Sequence, residues 1–299
     1  MIYIPLLYLA GYAVSRPIGL IAPQWRPDQI DLAGVAITFS LLLLTLPKRL
    51  ERTWGRPDCW YSLGLRRPWI IAAQSFGSGL IKAVGLLTIV SAALMASQQA
   101  EWRGTLSPGQ LSNALLLFWG VGLAEELLFR GWLMGELSLF MHGSKAVKVQ
   151  ALIFALLHPW YRAPGLLSLL LLTGLTLLGI SLAQARALGH GSLWGPVALH
   201  GGLVGGWFLL QHGLLRIGPQ TTGWWAGPGS TDINPVGGLI GLISIGILIW
   251  LQHTGTTINA EAGTKIKPEE TSTINLIEIG IRKVADTSAH GQEDSGADP

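Results

Sequence analysis

Residues 114–134 read ALLLFWGVGLAEELLFRGWLM, an apolar stretch long enough to cross a bilayer that also carries ionisable side chains. Glu125, Glu126 and Arg130 lie within six positions of one another near its middle. A membrane crossing takes roughly 17–25 residues, and a charge at its centre costs at least ~2.5–3.5 kcal/mol on insertion scales. Three such groups need partners, so the stretch is first interpreted as a membrane helix with a functional site.

The whole chain has the composition of a membrane protein. Of its 299 residues, 49% are hydrophobic and only 12% are charged, about half the charged fraction of a soluble domain. Eight apolar helices are predicted, over residues 2–14, 32–46, 70–96, 114–134, 149–160, 166–185, 193–212 and 236–252. The sequence therefore predicts an all-α, multi-pass integral membrane protein: a bundle of about eight transmembrane helices with a short disordered cytoplasmic tail.

Charge and cysteine content exclude some functions and orient the bundle. The segment 48–67 is the densest basic loop between apolar runs, so we expect it in the cytoplasm. The net charge of +3 is small, and no basic face predicts a nucleic-acid partner. Cys59 is the only cysteine, which leaves no internal disulfide and no cysteine-based zinc site.

Helical geometry separates the roles of the two neighbouring acids. Glu126 and Arg130 are four residues apart, so they share a face and can pair. Glu125 lies about 100° around the helix and is poorly placed for that pair. A carboxylate left free in the bundle interior suits general-base chemistry. The alternative is an ion-pair network that holds the bundle together without catalysis.

Two histidines fall within other predicted helices. His158 lies near the end of the fifth and His200 about one third into the seventh. Imidazole transfers protons near neutral pH and also binds metals. Two histidines in predicted spans, together with a glutamate pair on a third span, indicate a functional site more specifically than any one of these residues alone.

At these positions the chain resembles a known family. Residues 125–130, EELLFR, match the EExxxR signature of the CPBP family, also called the Abi or CAAX-protease family. Phe154–His158 matches its FxxxH motif, and His200 matches the histidine of its third motif. The resemblance covers roughly residues 111–210. It implies an all-helical intramembrane endopeptidase of the type that includes type II CAAX prenyl endopeptidases.

The resemblance also implies a role for each matching residue. Glu125 and His158 would activate the attacking water, and His200 would stabilise the oxyanion. Glu126 and Arg130 would organise the site. One position departs from the family pattern, since the Asn or Asp expected four residues after the third-motif histidine is Val204 here. A second oxyanion donor would then have to come from a backbone group or from Gln211.

A metal is possible but not required. The family is commonly labelled a metalloprotease, and Glu125, His158 and His200 would be the ligands if a zinc is bound. A Glu–His pair can also activate water without a metal. The sequence contains no HExxH and no Asp within a predicted span, so other intramembrane zinc and aspartyl chemistries are not supported.

The resulting prediction has four regions and one main function. Residues 1–110 hold N-terminal transmembrane helices and the basic loop, 111–212 the catalytic helices, 213–252 a loop and the last helix, and 253–299 a polar tail. The expected partners are membrane lipid and a membrane-bound or lipidated, CAAX-like peptide. The expected location is the plasma membrane or another bilayer of a prokaryotic-type cell. The alternatives are an inactive family member that acts as a scaffold or immunity factor, and a proton-coupled carrier.

Overall fold

The structure is a computed structural model that describes residues 2–218, 223–229 and 232–255. Its helices are α1 (Tyr3–Ser15), α2 (Ile18–Ile21), α3 (Pro27–Trp54), α4 (Cys59–Leu63), α5 (Trp69–Ala96), α6 (Pro108–Glu126), α7 (Met134–Ser138), α8 (Gly143–Leu157), α9 (Leu166–Leu188), α10 (Trp194–Leu209), α11 (Gly223–Ala226) and α12 (Leu239–Gly255). π-Helical turns at Leu127–Leu133 and Leu210–Leu214 extend α6 and α10. Two strands complete the described part: β1 (Ala100–Trp102) and β2 (Leu215–Ile217).

Several helices are suited to a membrane. Five segments are long and apolar enough to cross one: Tyr3–Ile21, Gln29–Trp54, Trp69–Ala96, Pro108–Ser138 and Leu166–Leu188. An all-α membrane protein is therefore confirmed. The helices α8 and α10 have 15 and 16 residues, fewer than the roughly 20 of a straight crossing. The count of eight spans stays a prediction.

The end of α8 differs from the predicted helix over 149–160. The helix stops at Leu157, and His158 has an extended backbone with ψ of 155°. Pro159 explains this, because a proline disfavours helical backbone at the residue before it. His158 therefore sits at the carboxyl end of α8 rather than within a span.

Glycines bring the helices of the catalytic region close together. A Cβ on Gly201 would collide with the backbone oxygen of Phe118 in α6, and one on Gly205 with that of Ala114. On the neighbouring face of α10, Gly202 packs against Ala83 of α5. Small residues four apart let helix backbones approach closely, and here they hold α10 against both α5 and α6.

The third acid of the central region has structural partners. Glu136 in α7 is buried and accepts hydrogen bonds from Arg49 Nη2 at 3.1 Å and from Trp54 Nε1 at 3.0 Å. Both donors belong to the last turns of α3. This ion pair ties the N-terminal helices to the far end of the span that carries the glutamate pair.

A small β-ladder was not predicted. Residues Ala100–Trp102 of β1 pair antiparallel with Leu215–Ile217 of β2. Three residues are too few for the alternation that identifies a strand in sequence. The ladder joins the end of α5 to the π-turn that follows α10.

The site described below lies within the compact unit Met1–Trp250. Residues 253–255 of the predicted polar tail belong to α12, and the rest of that tail, which we predicted to be disordered, lies outside the described residues and stays a prediction.

Candidate active site

The glutamate pair lies at the end of a regular α-helix, where the helix widens into a π-turn. The helix α6 ends at Glu126, and the π-turn Leu127–Leu133 begins at the next residue. Such widened turns occur mostly as single turns inside α-helices, frequently at functional sites. Arg130 lies within this turn, one turn beyond Glu126.

Glu126 is the structural centre of the site. Its side chain and that of Arg130 are fully buried, and Arg130 Nη1 donates to Glu126 Oε1 at 2.8 Å. The predicted pair is therefore present. The same carboxylate oxygen lies 2.7 Å from His200 Nδ1. A carboxylate ion-paired with arginine can only accept, so Nδ1 carries the hydrogen and Nε2 of His200 is left available.

His158 is oriented in the same manner by a different acceptor. Its Nδ1 lies 2.7 Å from the carbonyl oxygen of Phe154. Because a carbonyl only accepts, Nδ1 donates this hydrogen bond and Nε2 points away from it. The resulting hydrogen bond closes one turn of backbone at the helix end created by Pro159.

Both free imidazole nitrogens face the remaining carboxylate. Glu125 Oε2 lies 3.5 Å from His158 Nε2 and 4.0 Å from His200 Nε2. These separations exceed the 2.7–3.2 Å of a direct hydrogen bond, and one water can bridge groups at this spacing. The structure thus brings Glu125, His158 and His200 together from three different helices.

One aromatic ring organises these groups. Phe154 is fully buried, with its ring centroid 4.4 Å from that of His158 and 5.7 Å from that of His200. The guanidinium carbon of Arg130 lies 4.2 Å from the same centroid, a cation–π contact. From the sequence, Phe154 was recognised only as part of the FxxxH motif. The spacing of that motif does not predict contacts with His200 or Arg130.

A second buried arginine supports the π-turn. Arg186, at the end of α9, donates to the backbone oxygen of Arg130 and, at 3.0 Å, to that of Leu63. Its guanidinium therefore joins backbone carbonyls of two packed elements. A basic residue at a helix end gave no signal of this contact.

Two cavities meet at the site. An apolar groove of about 500 Å³ runs between the first helices and α6 and is lined by Ile4, Leu7, Val35, Phe39, Leu128, Glu125 and His158, among others. A second cavity of about 370 Å³ includes His158, His200, Val204, Gln211 and Asn234 in its wall. His158 lines both, so the imidazole stands between them.

Val204, which departs from the family pattern, lies in the wall of the second cavity. Val204 lines it one turn beyond His200 and offers no polar atom. Gln211 lines it as well, but its Nε2 donates to Asp232 Oδ1 at 2.9 Å. The expected substitute donor therefore already has an acceptor.

The single thiol is not part of this site. Cys59, at the start of α4, is buried, and burial raises the pKa of its thiol to about 11. A thiol of such high pKa is protonated at neutral pH and is a poor nucleophile.

The side chains do not form a ready-made metal centre. Within residues 2–218, 223–229 and 232–255, no group of three or more His, Cys, Asp or Glu side chains is arranged to hold a metal ion. Glu126 Oε1 is occupied by Arg130 and His200, and 4.0 Å separates Glu125 Oε2 from His200 Nε2. The zinc hypothesis for Glu125, His158 and His200 stays a prediction.

Comparison with known proteins identifies the central segment. Residues 107–205 match the family model described as Type II CAAX prenyl endopeptidase Rce1-like. This segment is therefore an Rce1-like domain, and the resemblance drawn from the three motifs is confirmed. Residues 1–58 match the model of a domain of unknown function, DUF8676. No curated protein and no solved structure matches the chain.

Proposed function

We propose that this protein is an intramembrane endopeptidase that hydrolyses a peptide bond with a water activated by Glu125 and His158. The observation that carries the proposal is the convergence of Glu125 Oε2 with His158 Nε2 at 3.5 Å, beside His200 Nε2 at 4.0 Å. The match of residues 107–205 to a prenyl endopeptidase family supports protease chemistry in general.

The proposed reaction follows from the orientation of the three groups. A water between Glu125 and His158 loses a proton to the carboxylate as its oxygen attacks the carbonyl carbon. The negative charge that develops on the carbonyl oxygen is stabilised by a hydrogen bond from Nε2 of doubly protonated His200, while Nδ1 remains bonded to Glu126, whose carboxylate balances the charge of this imidazolium. The C–N bond then breaks, and the leaving amine takes the proton that Glu125 accepted from the water.

The apolar groove suggests the kind of substrate. Its wall between α1, α3 and α6 is almost entirely apolar and ends at Glu125 and His158. A lipid chain or an apolar peptide segment lying there would place an adjoining peptide bond at the water. The substrate class proposed is therefore a membrane-bound or lipidated, CAAX-like peptide, and the N-terminal helices would contribute to its recognition.

One observation favours a second candidate. Val204 removes the amide that the family pattern expects near the oxyanion, as in a catalytically inactive member that acts as a membrane scaffold or immunity factor. In that case Glu126 and Arg130 would serve only to hold the bundle together.

The test compares purified protein and two variants in detergent or liposomes. The substrates are a farnesylated peptide that ends in a CAAX sequence and the same peptide without the lipid. Glu125→Gln and His158→Ala should keep the elution profile and melting behaviour of the wild type while losing cleavage by about 10²–10⁴. Folded variants that cleave at the wild-type rate would overturn the assignment. No cleavage by any folded form would favour the inactive candidate.

A further inference from the structure

One face of α5 is polar although the rest of the helix is apolar. Gln74, Ser78 and Lys82 are spaced four residues apart, and Ser75 lies beside them, so the four side chains share a face. They line a cavity of about 220 Å³. Its other walls come from the end of α9 and the start of α10: Ala185, Leu188, Gly189, His190 and Gly195. None of the proposed catalytic residues lines this cavity.

Lys82 places a positive charge near the middle of a 28-residue span. Its ammonium group has no carboxylate partner in the described part of the chain, and neither Asp nor Glu lines the cavity. An ionised side chain inside a membrane span is rare and typically faces a functional cavity with a compensating group. The part of the chain that the structure describes therefore supplies no compensating negative charge.

Ser75 supplies a second group that lacks a partner. Its side chain is 6% exposed, and no described residue forms a hydrogen bond with its Oγ. A Cβ on Gly189 or on Gly195 would collide with that oxygen. The two glycines thus make room for this hydroxyl in the cavity wall, and a buried hydroxyl normally has a hydrogen-bond partner.

The surroundings of the cavity are electropositive. Gly195 lies in the first turn of α10, where backbone N–H groups favour an anion. Arg67 also lies near, since its Nη2 is 2.9 Å from the position that a Cβ on Gly191 would occupy, next to His190. The cavity wall combines Lys82 and the start of α10 with the hydroxyl and amide groups of α5, and Arg67 lies beyond this wall.

We propose that this cavity binds a phosphate group, with Lys82 as its counter-ion and Ser75 as a hydrogen-bond donor. The oxygens of a phosphate group can accept hydrogen bonds from Lys82 and Ser75, and also from Ser78 and Gln74 on the same face of α5. The phosphate belongs to an anionic phospholipid headgroup or is inorganic phosphate, since both present this group to the donors. The site is independent of the proposed peptidase reaction.

Native mass spectrometry of the delipidated full-length protein tests the proposal. Phosphatidylglycerol and diacylglycerol, which lacks the phosphate, are added in parallel, and inorganic phosphate is titrated by calorimetry. Lys82→Met should weaken phosphatidylglycerol or phosphate binding about 10- to 100-fold, because a charge-assisted hydrogen bond is lost. Ser75→Ala should weaken it less. Lys145→Met is the matched control, because Lys145 is exposed at the start of α8 and its replacement removes the same charge.

The outcomes are distinct. Selective retention of phosphatidylglycerol supports a lipid headgroup, and binding of inorganic phosphate alone supports the free ion. Retention that is the same for both lipids without phosphate binding, or an equal loss in Lys82→Met and Lys145→Met, overturns the proposal. If Lys82→Met does not fold, Ser75→Val is measured instead. Its larger side chain fills part of the cavity, so phosphate or phosphatidylglycerol binding equal to that of the wild type would contradict the proposed site. Glu125→Gln should bind like the wild type, so a failed peptidase assay leaves this result unaffected.

Discussion

His200 donates its Nδ1 hydrogen to Glu126 Oε1 at 2.7 Å and thereby directs Nε2 toward Glu125. The two neighbouring glutamates thus have different tasks: one orients an imidazole, and the other faces it. A carboxylate behind a histidine fixes the tautomer and the ring orientation that the exposed nitrogen needs. Predictions for the two acids therefore differ.

Replacing the two glutamates separates positioning from catalysis. Glu126→Gln leaves the fully buried Arg130 without its counter-ion, and breaking a buried pair in this way costs about 3–5 kcal/mol of unfolding free energy. Glu125→Gln, whose side chain is 30% exposed, should leave stability nearly unchanged. Denaturant or thermal unfolding in detergent measures both. Equal destabilisation by the two variants would contradict the assignment of Glu126 as the structural acid.

His200→Gln tests the oxyanion role. Loss of one oxyanion donor should lower kcat by about 10²–10³ with a smaller change in KM, because the bond strengthens only as charge develops. Steady-state kinetics with the lipidated peptide provide the measurement. An increase in KM at constant kcat would instead place His200 in substrate binding.

Val204→Asn should increase turnover. The new amide would lie one turn beyond His200 in the same cavity and would add a second donor for the oxyanion. An increase in kcat of about 10-fold or more is expected if the amide reaches the oxygen. Val204→Leu is the control, since it changes the volume without adding a donor. A fall in kcat for Val204→Asn together with unchanged activity for Val204→Leu would argue against a missing donor.

Cys59 should resist alkylation in the folded protein. With its pKa raised to about 11 by burial, only about 3 in 10,000 thiols are ionised at about pH 7.5, and the thiolate is the reactive form. Labelling by N-ethylmaleimide should therefore be slow, accelerate as pH rises toward the pKa, and become fast on unfolding. Rapid labelling of the native protein at neutral pH would show that the thiol is more exposed than the structure indicates.

Peptidase activity should survive metal removal. Water activation by Glu125 and His158 needs no metal, so EDTA or a zinc-selective chelator should leave kcat unchanged, and purified protein should contain zinc well below one equivalent. Metal analysis of the wild type and of His158→Ala provides the readout. One equivalent of zinc in the wild type that is lost in the variant would instead support coordination by Glu125, His158 and His200.

The sequence predicted what depends on local geometry. The Glu126–Arg130 pair follows from a four-residue spacing on one helix. It did not predict that His200 bonds Glu126 or that Arg186 supports the π-turn, because both contacts join residues more than 50 positions apart. Such contacts depend on how helices pack, which a single sequence does not encode as a pattern.

The polar face of α5 was also missed for a physical reason. Lys82 and Ser75 lie on one helix that is continuous from Trp69 to Ala96. The cavity beside them also needs residues from the end of α9 and the start of α10. It therefore exists only after three helices have packed.

The π-turn at Leu127–Leu133 changes the phase of the span that contains it. One extra residue in a turn rotates everything beyond it by about 100° relative to a regular helix. Glu125 and Glu126, in the first half of the span, then face α8 and α10. Glu136, in the second half, faces Arg49 and Trp54. Deleting one residue from this turn would leave Glu125, Glu126 and Glu136 in the chain but would rotate one half of the span away from its partners. The length of the π-turn therefore helps to determine the geometry of the site.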